Sequence, residues 1–396
     1  MDVLFVAHRA PFPPDKGDRL RAWRHLTRLA QLGEVDIVAE ADDEHSAAVA
    51  REGLAQICRE VHIFPRRWVP TLFRVGLAAL GGGSLTVAWH GAPAVQRCLA
   101  ELEGRHDYGA CWAFSSGTGP WLMGRDIRPR IMDMCDVDAL KWEALAAAGS
   151  GPMSWVHKLE AGRLLPVEVG LAERADLTLV STHQEADDLT VRGTPKHLEV
   201  LTNGTPWQDL DGLPAPSTVG PVVGFLGQMD YPPNITAVSH LAREVLPAVR
   251  RSVPGARLRI MGRAPTAAVN ALAREGQVEV TGSVESIPQA LAEVAVFCAP
   301  LDQGRGIPNK ILEAMAAGRA TVVSSWSSKA LAGVPGTDYM VADGIDDRAR
   351  VIADLLLDPE RCDDLAAAGQ AYVRQAHDWD HVLDRLEALV REAALA

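Results

Sequence analysis

The pattern that most constrains this chain is a short apolar run that leads through a Gly- and Pro-rich loop into a helix, because it occurs twice. Residues 3–7 form the first apolar run, 8–17 the loop, and 35–39 a second apolar run. The helical pattern between them has one apolar face, made by Leu20, Trp23, Leu26 and Leu29. Strand, helix and strand in this order predict a βαβ unit and therefore a parallel sheet.

The same rhythm restarts in the second half of the chain, at 222–227. The stretch before it, 209–221, is rich in Gly, Pro, Ser and Asp, and we interpret it as a linker. The sequence therefore predicts an N-terminal α/β domain over 1–208 and a C-terminal α/β domain over 222–378. The closing segment, 379–396, has the pattern of one amphipathic helix that could pack on either half, and we expect it to return to the N-terminal domain.

Composition indicates a globular protein and argues against a general nucleic-acid binder. The 396 residues suffice for two domains, and 47% are apolar against 23% charged. The formal net charge is −12, whereas a nucleic-acid binder needs a basic footprint. This balance still allows a local basic pocket for a phosphorylated ligand.

Several features predict a cytoplasmic protein. The six cysteines are scattered without a CxxC pair, which favours reduced thiols over disulfides or a zinc site. The apolar start reads as a strand and not as a signal peptide, and no apolar run reaches the ~18 residues of a spanning helix. The stretch 65–74 mixes basic and aromatic residues; it could touch the inner face of an anionic membrane or be a solvated helix with a core face.

The strongest signal for function is the segment 305–318, Arg-Gly-Ile-Pro-Asn-Lys-Ile-Leu-Glu-Ala-Met-Ala-Ala-Gly. It follows an apolar strand and opens a helix, so its backbone N–H groups can face an anion. Lys310 stands in the first turn, where it can meet a diphosphate as a point charge. Glu313 shares a helical face with Asn309 and could accept hydrogen bonds from a ribose diol. The alternative is a solvated helix start with no ligand.

These residues resemble glycosyltransferase family 4, and more closely its PEP-CTERM/exosortase-associated sugar transferase branch. The Arg-Gly-Ile-x-Asn-Lys-x-Leu-Glu-Ala-Met-Ala pattern carries most of the resemblance. Shorter matches follow in the same order along the whole chain. They lie at 13–19, 133–138, 181–185, 203–204, 225–227, 233–234, 261–265 and 281–284.

The resemblance implies a GT-B fold, in which two Rossmann-like, doubly wound parallel-sheet domains face an inter-domain cleft. It implies a retaining, hexosyltransferase-like and metal-independent enzyme of polysaccharide biosynthesis that uses a nucleotide-sugar donor and no cofactor. The acceptor would be a hydroxyl of a glycan, a lipid-linked sugar or a small molecule, bound by the N-terminal domain.

The resemblance also implies particular site residues. We expect Lys310, Arg305 and Asp136 to serve catalysis. The residues expected to bind the donor are Gly17, Gly227, Arg263, Val284, Gly306, Ile307, Pro308, Asn309, Lys310 and Glu313.

Two departures from the family pattern concern charge. Arg305 stands where many members have a Glu that meets the transferred sugar. Gln228 and Asn234 stand near the places where many members have an Arg and a Lys that grip the diphosphate. We therefore expect the phosphate charge to be met by Arg305 and Lys310, with Arg263 as a further candidate.

Other readings of the sequence stay open. Asp136 and Asp138 form an Asp-x-Asp triplet that could hold a divalent metal, cap a helix or, for Asp136, act on the acceptor side. His8 and His183 could line a site but are more often structural. Two rival functions are a sugar-phosphate epimerase on the same fold and a catalytically inactive nucleotide-sugar-binding module.

Overall fold

The computed structural model describes residues 1–302 and 306–395 and divides into two compact units. The first, here called the N-unit, comprises Met1–Thr202 and the end of the chain from Val382. The second, the C-unit, comprises Asn203–His381. The segment expected as a linker, 209–221, lies inside the C-unit, where Leu210 is buried and Pro214 accepts a hydrogen bond from the buried Arg319.

The N-unit is built on a seven-stranded, all-parallel sheet with the order β3-β2-β1-β4-β5-β6-β7. Every residue of the first and fourth strands is buried, as expected for strands covered by helices on both faces. The strands are β1 (Val3–Ala7), β2 (Val35–Ala41), β3 (Glu60–Pro65), β4 (Ala110–Phe114), β5 (Arg130–Cys135), β6 (Leu177–Val180) and β7 (Leu198–Val200).

Helices connect these strands and cover the sheet. They are α1 (Gly17–Ala30), α2 (Glu44–Leu54), α3 (Trp68–Gly81), α4 (Leu85–His90), α5 (Pro93–Arg105), α6 (Gly119–Leu122), α7 (Asp138–Ala148), α8 (Pro152–Arg174) and α9 (His183–Arg192). The face of α1 that packs inward is formed by Arg21, Ala22, His25, Leu26 and Leu29. It is rotated from the predicted apolar face because Arg21 and His25 turn toward the buried Asp133 of β5.

The C-unit repeats the plan with a six-stranded parallel sheet in the order β10-β9-β8-β11-β12-β13. Its strands are β8 (Val222–Leu226), β9 (Arg257–Met261), β10 (Val278–Gly282), β11 (Val296–Ala299), β12 (Ala320–Val323) and β13 (Met340–Val341). Its helices are α10 (Trp207–Leu210), α11 (Pro232–His240), α12 (Leu246–Val249), α13 (Ala267–Leu272), α14 (Ile287–Ala292), α15 (Asn309–Ala316), α16 (Ser325–Ser328), α17 (Gly344–Leu357) and α18 (Pro359–Ala376).

The last helix, α19 (Trp379–Leu395), begins in the C-unit and continues in the N-unit. Its Leu386, Leu389 and Val390 are fully buried, as the amphipathic pattern predicts. Arg28 of α1 pairs with Asp384 of α19, which fastens this helix to the N-unit.

In each unit the strand order reverses once, between β1 and β4 and between β8 and β11. Loops that leave the carboxyl ends of strands at such a point open a crevice in which doubly wound folds bind ligands. Among the described residues, no helix combines the length and the apolar character needed to cross a membrane.

Candidate functional site

Three loops meet at the carboxyl edge of the C-unit sheet. The Gly227 N–H donates to Met261 O at 3.0 Å, the Met229 N–H to Arg263 O at 2.9 Å, and the Gly262 N–H to Gly282 O at 3.0 Å. These bonds tie the loops after β8, β9 and β10 side by side. They form a backbone floor next to the reversal point of the sheet.

Two of the glycines in this floor have no room for a side chain. A Cβ atom on Gly262, whose φ is +141°, would lie 1.7 Å from the Gly227 carbonyl oxygen. A Cβ atom on Gly227 would lie 2.8 Å from Asn234 Nδ2 and 2.9 Å from Lys310 Nζ. A side chain at position 227 would displace the Lys310 side chain. The glycine therefore allows the Lys310 ammonium group to lie directly over the floor.

Lys310 enters from the first turn of α15. Its Nζ donates to Asn234 Oδ1 at 2.6 Å and lies 4.7 Å from the centre of the Phe225 ring. The buried Asn234 amide is held in turn by its own bond from Nδ2 to Gln228 O at 2.8 Å. Within the described ranges, no carboxylate lies within ion-pairing distance of this ammonium group.

Burial lowers the pKa of Lys310 to about 8, and the nearby charge of Glu313 opposes this shift. Burial also raises the pKa of Glu313, against the effect of Lys310. No hydrogen-bond partner of the Glu313 carboxylate occurs in the part of the chain that the structure describes. The start of α15 thus carries a cation, Lys310, and a hydrogen-bond acceptor, Glu313, and a ligand could supply the missing partners of both.

The N-terminus of α15 is not capped by a side chain. Pro308 occupies the cap position, so the first N–H groups of the helix have no side-chain acceptor from the cap residue. Gly306 has a left-handed backbone, with φ of +70°, and the buried Ile307 anchors the loop. Asn309 Oδ1 accepts from Asn203 Nδ2 at 3.2 Å, which ties this helix start to the first residue of the C-unit.

Two further predicted donor residues lie at the same edge, whereas the predicted catalytic residue Arg305 lies outside the described residues. Arg263 is exposed and its Nη2 donates to Gln228 Oε1 at 3.4 Å. Val284 follows β10 and packs, half-buried, against the core of the C-unit. Arg305 falls in the gap between 302 and 306.

In the N-unit, the last residue of β5 and the residues after it form a second polar group. Cys135 has a left-handed backbone, with φ of +62°, and Asp136 Oδ1 accepts from Ser181 Oγ at 3.0 Å. Helix capping by Asp136 or Asp138 does not occur, because other carboxylates take the N–H groups at the start of α7. Glu185 accepts from Val137 N at 2.7 Å, and Glu168 accepts from Asp138 N at 2.8 Å and Ala139 N at 3.0 Å.

Glu168 was not predicted from the sequence. It is a fully buried carboxylate in the middle of α8, and Ser116 donates to it at 2.7 Å. Burial and the neighbouring charge of Asp138 raise the pKa of Glu168 to about 8. Burial and Asp136 likewise raise the pKa of Asp138. The position of Glu168 on the same helical face as Leu164 and Leu171 was a signal in the sequence that this carboxylate is buried.

His8, in the loop after β1, and Asp18, in the first turn of α1, lie at the same edge of the N-unit. His8 Nε2 lies 3.6 Å from Asp18 Oδ2, and burial lowers the pKa of His8. The His8 ring stacks on Phe114, with centres 6.0 Å apart. Gly17, predicted to meet the donor, is the exposed first residue of α1, and His183 is the exposed first residue of α9.

One cluster of the described residues has the composition and spacing of a metal site, and it lies elsewhere. Asp36, Glu60 and His106 converge near the amino ends of β2 and β3. The Asp36 carboxylate already accepts from Arg59 at 2.6 Å and from Tyr108 at 2.5 Å, so the cluster is explained as an ion-pair network.

Comparisons with known proteins agree with this architecture. Residues 220–358 match the family model described as "Glycosyl transferases group 1", which covers most of the C-unit. This match supports a glycosyltransferase. A sequence search of curated proteins finds no match to the chain.

Solved structures of GT-B proteins superpose on almost the entire chain. HepE from Anabaena, solved with UDP, is 15% identical with a TM-score of 0.71, over 99% of this chain and 100% of that one. Sucrose-phosphate synthase from Thermosynechococcus elongatus has the same identity and TM-score, over 99% and 98%. A glycosyltransferase from Rickettsia africae is 8% identical with a TM-score of 0.64, over 99% and 98%. The fold is therefore GT-B, as the sequence predicted.

Proposed function

We propose that this chain is a retaining glycosyltransferase that moves a sugar from a nucleotide-diphosphate donor to a hydroxyl acceptor. The observation that carries the proposal is the Lys310 ammonium group, which lies over a glycine floor at the uncapped start of α15 without a carboxylate partner among the described residues. HepE has been solved with UDP and with UDP-glucose, which favours a uridine nucleotide as the first donor to test.

In this proposal the diphosphate lies between the ammonium group of Lys310 and the backbone N–H groups of the first turn of α15. The ammonium group and the positive end of the helix dipole both favour an anion there. Glu313, one turn further on, accepts hydrogen bonds from the ribose hydroxyls. Arg263 and Arg305 are proposed to add charge, and the absence of a side chain at Gly227 allows the diphosphate to approach the floor closely.

The proposed reaction needs no nucleophile from the protein. The acceptor oxygen attacks the anomeric carbon as the bond from that carbon to the leaving diphosphate breaks. The proton of the acceptor hydroxyl passes to an oxygen of the leaving diphosphate on the same face, so the anomeric configuration is kept. Lys310 contributes by stabilising negative charge that grows on the leaving group, which is the usual source of large rate effects.

Asp136 is the proposed acceptor-side residue, and Gly17 is a proposed donor contact of the N-unit. The Asp136 carboxylate is half-buried beside Ser181, at the carboxyl edge where acceptors would be expected. The acceptor classes remain a glycan, a lipid-linked sugar or a small molecule, and the proposed pathway is polysaccharide biosynthesis in the cytoplasm.

A donor-turnover assay tests this proposal against its rivals. The protein is incubated with UDP-glucose and a panel of other nucleotide sugars, and release of the nucleoside diphosphate is followed with and without sugar acceptors. Release that an acceptor accelerates supports a transferase. Isomerised sugar with no nucleotide release would indicate an epimerase, and tight binding without turnover would indicate an inactive module.

A further inference from the structure

Helix α3 turns its apolar side toward solvent. Its one buried residue is Thr71, a polar residue. Six large apolar side chains on the helix are each more than half exposed, and we call them the α3 face: Trp68, Val69, Leu72, Phe73, Leu77 and Leu80. A surface helix of a globular protein normally shows the opposite arrangement.

Arginine side chains hold α3 from its inner side. Arg74, on the helix itself, donates to Ala88 O at 3.2 Å and to Trp89 O at 3.3 Å. Arg163 of α8 donates to Ala79 O at 3.1 Å and to Gly83 O at 3.3 Å. These bonds fix the orientation of the helix, so the outward apolar face is a built feature of the N-unit.

The apolar surface continues onto the start of α8. Met153 and Trp155 are both more than half exposed there. A cavity of about 430 Å³ joins the two helices, since Val75 of α3 and Met153 of α8 both line it together with Trp89. Contiguous apolar surfaces of this kind on a globular protein mark sites of protein or membrane contact.

The charge around α3 favours contact with a membrane over contact with another protein. From 61 to 100 the chain has no Asp or Glu, although it has 51 of them overall and a net charge of −12. The same stretch has four arginines; Arg66 pairs with Glu40 and Asp42, whereas Arg67 is exposed at the start of α3. Lys158 of α8 is exposed and adds positive charge there. Glu160 of the same helix lines the cavity, but it is buried and accepts hydrogen bonds from Ser84, Leu85 and Thr86. An acid-free, arginine-bearing segment in an acidic chain is complementary to an anionic surface.

We propose that the α3 face inserts into the interfacial region of an anionic lipid bilayer. Apolar burial supplies one part of the affinity and the exposed cations Arg67 and Lys158 supply the other, which is the combination that surface-bound helices use. The contact is peripheral and does not depend on the proposed glycosyl transfer.

Vesicle flotation of the full chain tests the proposal. Two vesicle types are used, phosphatidylcholine alone and phosphatidylcholine mixed in equal parts with phosphatidylglycerol. We expect flotation with the mixed vesicles and little with the neutral ones. Replacing two face residues, Leu72→Ser with Phe73→Ser, should lower binding by at least about tenfold, since each loses the burial of a large apolar side chain. Arg67→Glu should lower binding to the mixed vesicles several-fold.

A matched control is Val191→Ser on α9, because Val191 is 83% exposed but lies outside the α3 face. It should float like the unaltered protein, and equal melting temperatures of all variants would show that folding is intact. Failure to float with either vesicle overturns the proposal. So does equal binding to both vesicle types, or a dimer in solution that the Leu72→Ser, Phe73→Ser variant dissolves without any lipid binding.

Discussion

Lys310 carries a positive charge in a buried environment that disfavours the charged form. The pKa of about 8 means that the folded protein penalises the ammonium form, while the same group is proposed to serve an anion. Residues selected for function often destabilise the folded protein when no ligand is bound. This conflict makes Lys310 the residue at which stability and function can be separated.

Lys310→Met should raise the melting temperature at neutral pH while it weakens nucleotide binding. The folded pKa is below the unfolded one, so the native state binds fewer protons between pH 8 and about 10.4 and stability rises with pH over that window. Methionine removes the charge and should flatten this dependence. Thermal melts from pH 7 to pH 10 would show it, and an unaltered slope in the variant would contradict the assignment.

Lys310→Ala should lower the transfer rate far more than it weakens ground-state binding. Loss of one donor that stabilises transition-state charge reduces rates by about 10²–10³. Steady-state kinetics over several donors measure both quantities. Near-normal rates would remove the centre of the proposed mechanism.

Arg305→Ala, measured with the same donors, should lower the rate in a similar way if Arg305 meets the phosphates. If it meets the transferred sugar, as the Glu of related motifs does, the preference among donors should change instead. Unchanged rate and preference together would show that the arginine has no part in the site.

Glu313→Ala should weaken nucleotide binding without unfolding the protein. Losing a charged hydrogen-bond acceptor costs about 1.5–3 kcal/mol of binding free energy. Calorimetry with a ribonucleotide and its 2′-deoxy analogue is the sharpest measurement, because the variant should lose discrimination between them. Equal affinities of the variant and the unaltered protein for the ribonucleotide would exclude the ribose contact.

At the scale of elements, most strands could be predicted because their apolar runs lie between clear turn signals. β1 has the predicted bounds, whereas the two-residue β13 is too short for any pattern to reveal. The inward face of α1 could not be predicted, because Arg21 and His25 are polar and are buried only by their contacts with Asp133 of a distant strand. Long-range pairing of this kind leaves no local period in the sequence.

Glu168 of α8, which accepts hydrogen bonds from the start of α7, should make the stability of the protein depend on pH. The folded pKa of about 8 exceeds the unfolded one, so the native state holds more protons and stability should fall as pH rises from about 4.3 to 8. Glu168→Gln should flatten this fall when chemical denaturation is repeated across the pH range. Glu168→Ala should destabilise at every pH, by about 1–3 kcal/mol for each buried donor left unpaired. Identical pH profiles for Glu168→Gln and the unaltered protein would refute the assignment.

For the whole molecule, the repeated βαβ rhythm was sufficient to predict two parallel-sheet units, and the superposed structures confirm the GT-B fold. The motif of the proposed donor site could be located because one contiguous segment, 305–318, carries it. Asn234 as the hydrogen-bond partner of Lys310, and Phe225 beneath it, could not be predicted, since the fold alone brings these three elements together.

Activity should not need a divalent metal. The charge of a diphosphate is proposed to be met by Lys310, the arginines and the start of α15, and Asp136 with Asp138 offers two carboxylates, a poor set for Mg²⁺. Turnover measured after exhaustive EDTA treatment should be retained. Loss of activity that Mg²⁺ or Mn²⁺ restores would contradict this prediction and favour a metal site at Asp136 and Asp138.

The measurement that tests the central claim most directly is proton uptake when a nucleoside diphosphate binds. Because burial lowers the pKa of Lys310 to about 8, more than half of this side chain should be neutral at pH 8.5 in the free protein, and a bound diphosphate would restore its proton. Titration calorimetry with UDP, and then GDP and ADP, at pH 8.5 in two buffers of different ionisation enthalpy reports that proton. We predict uptake of a large fraction of one proton by the unaltered protein and little by Lys310→Arg, whose guanidinium stays charged. Binding with no uptake, or with the same uptake in Lys310→Arg, would contradict the account, as would the absence of binding by every nucleotide.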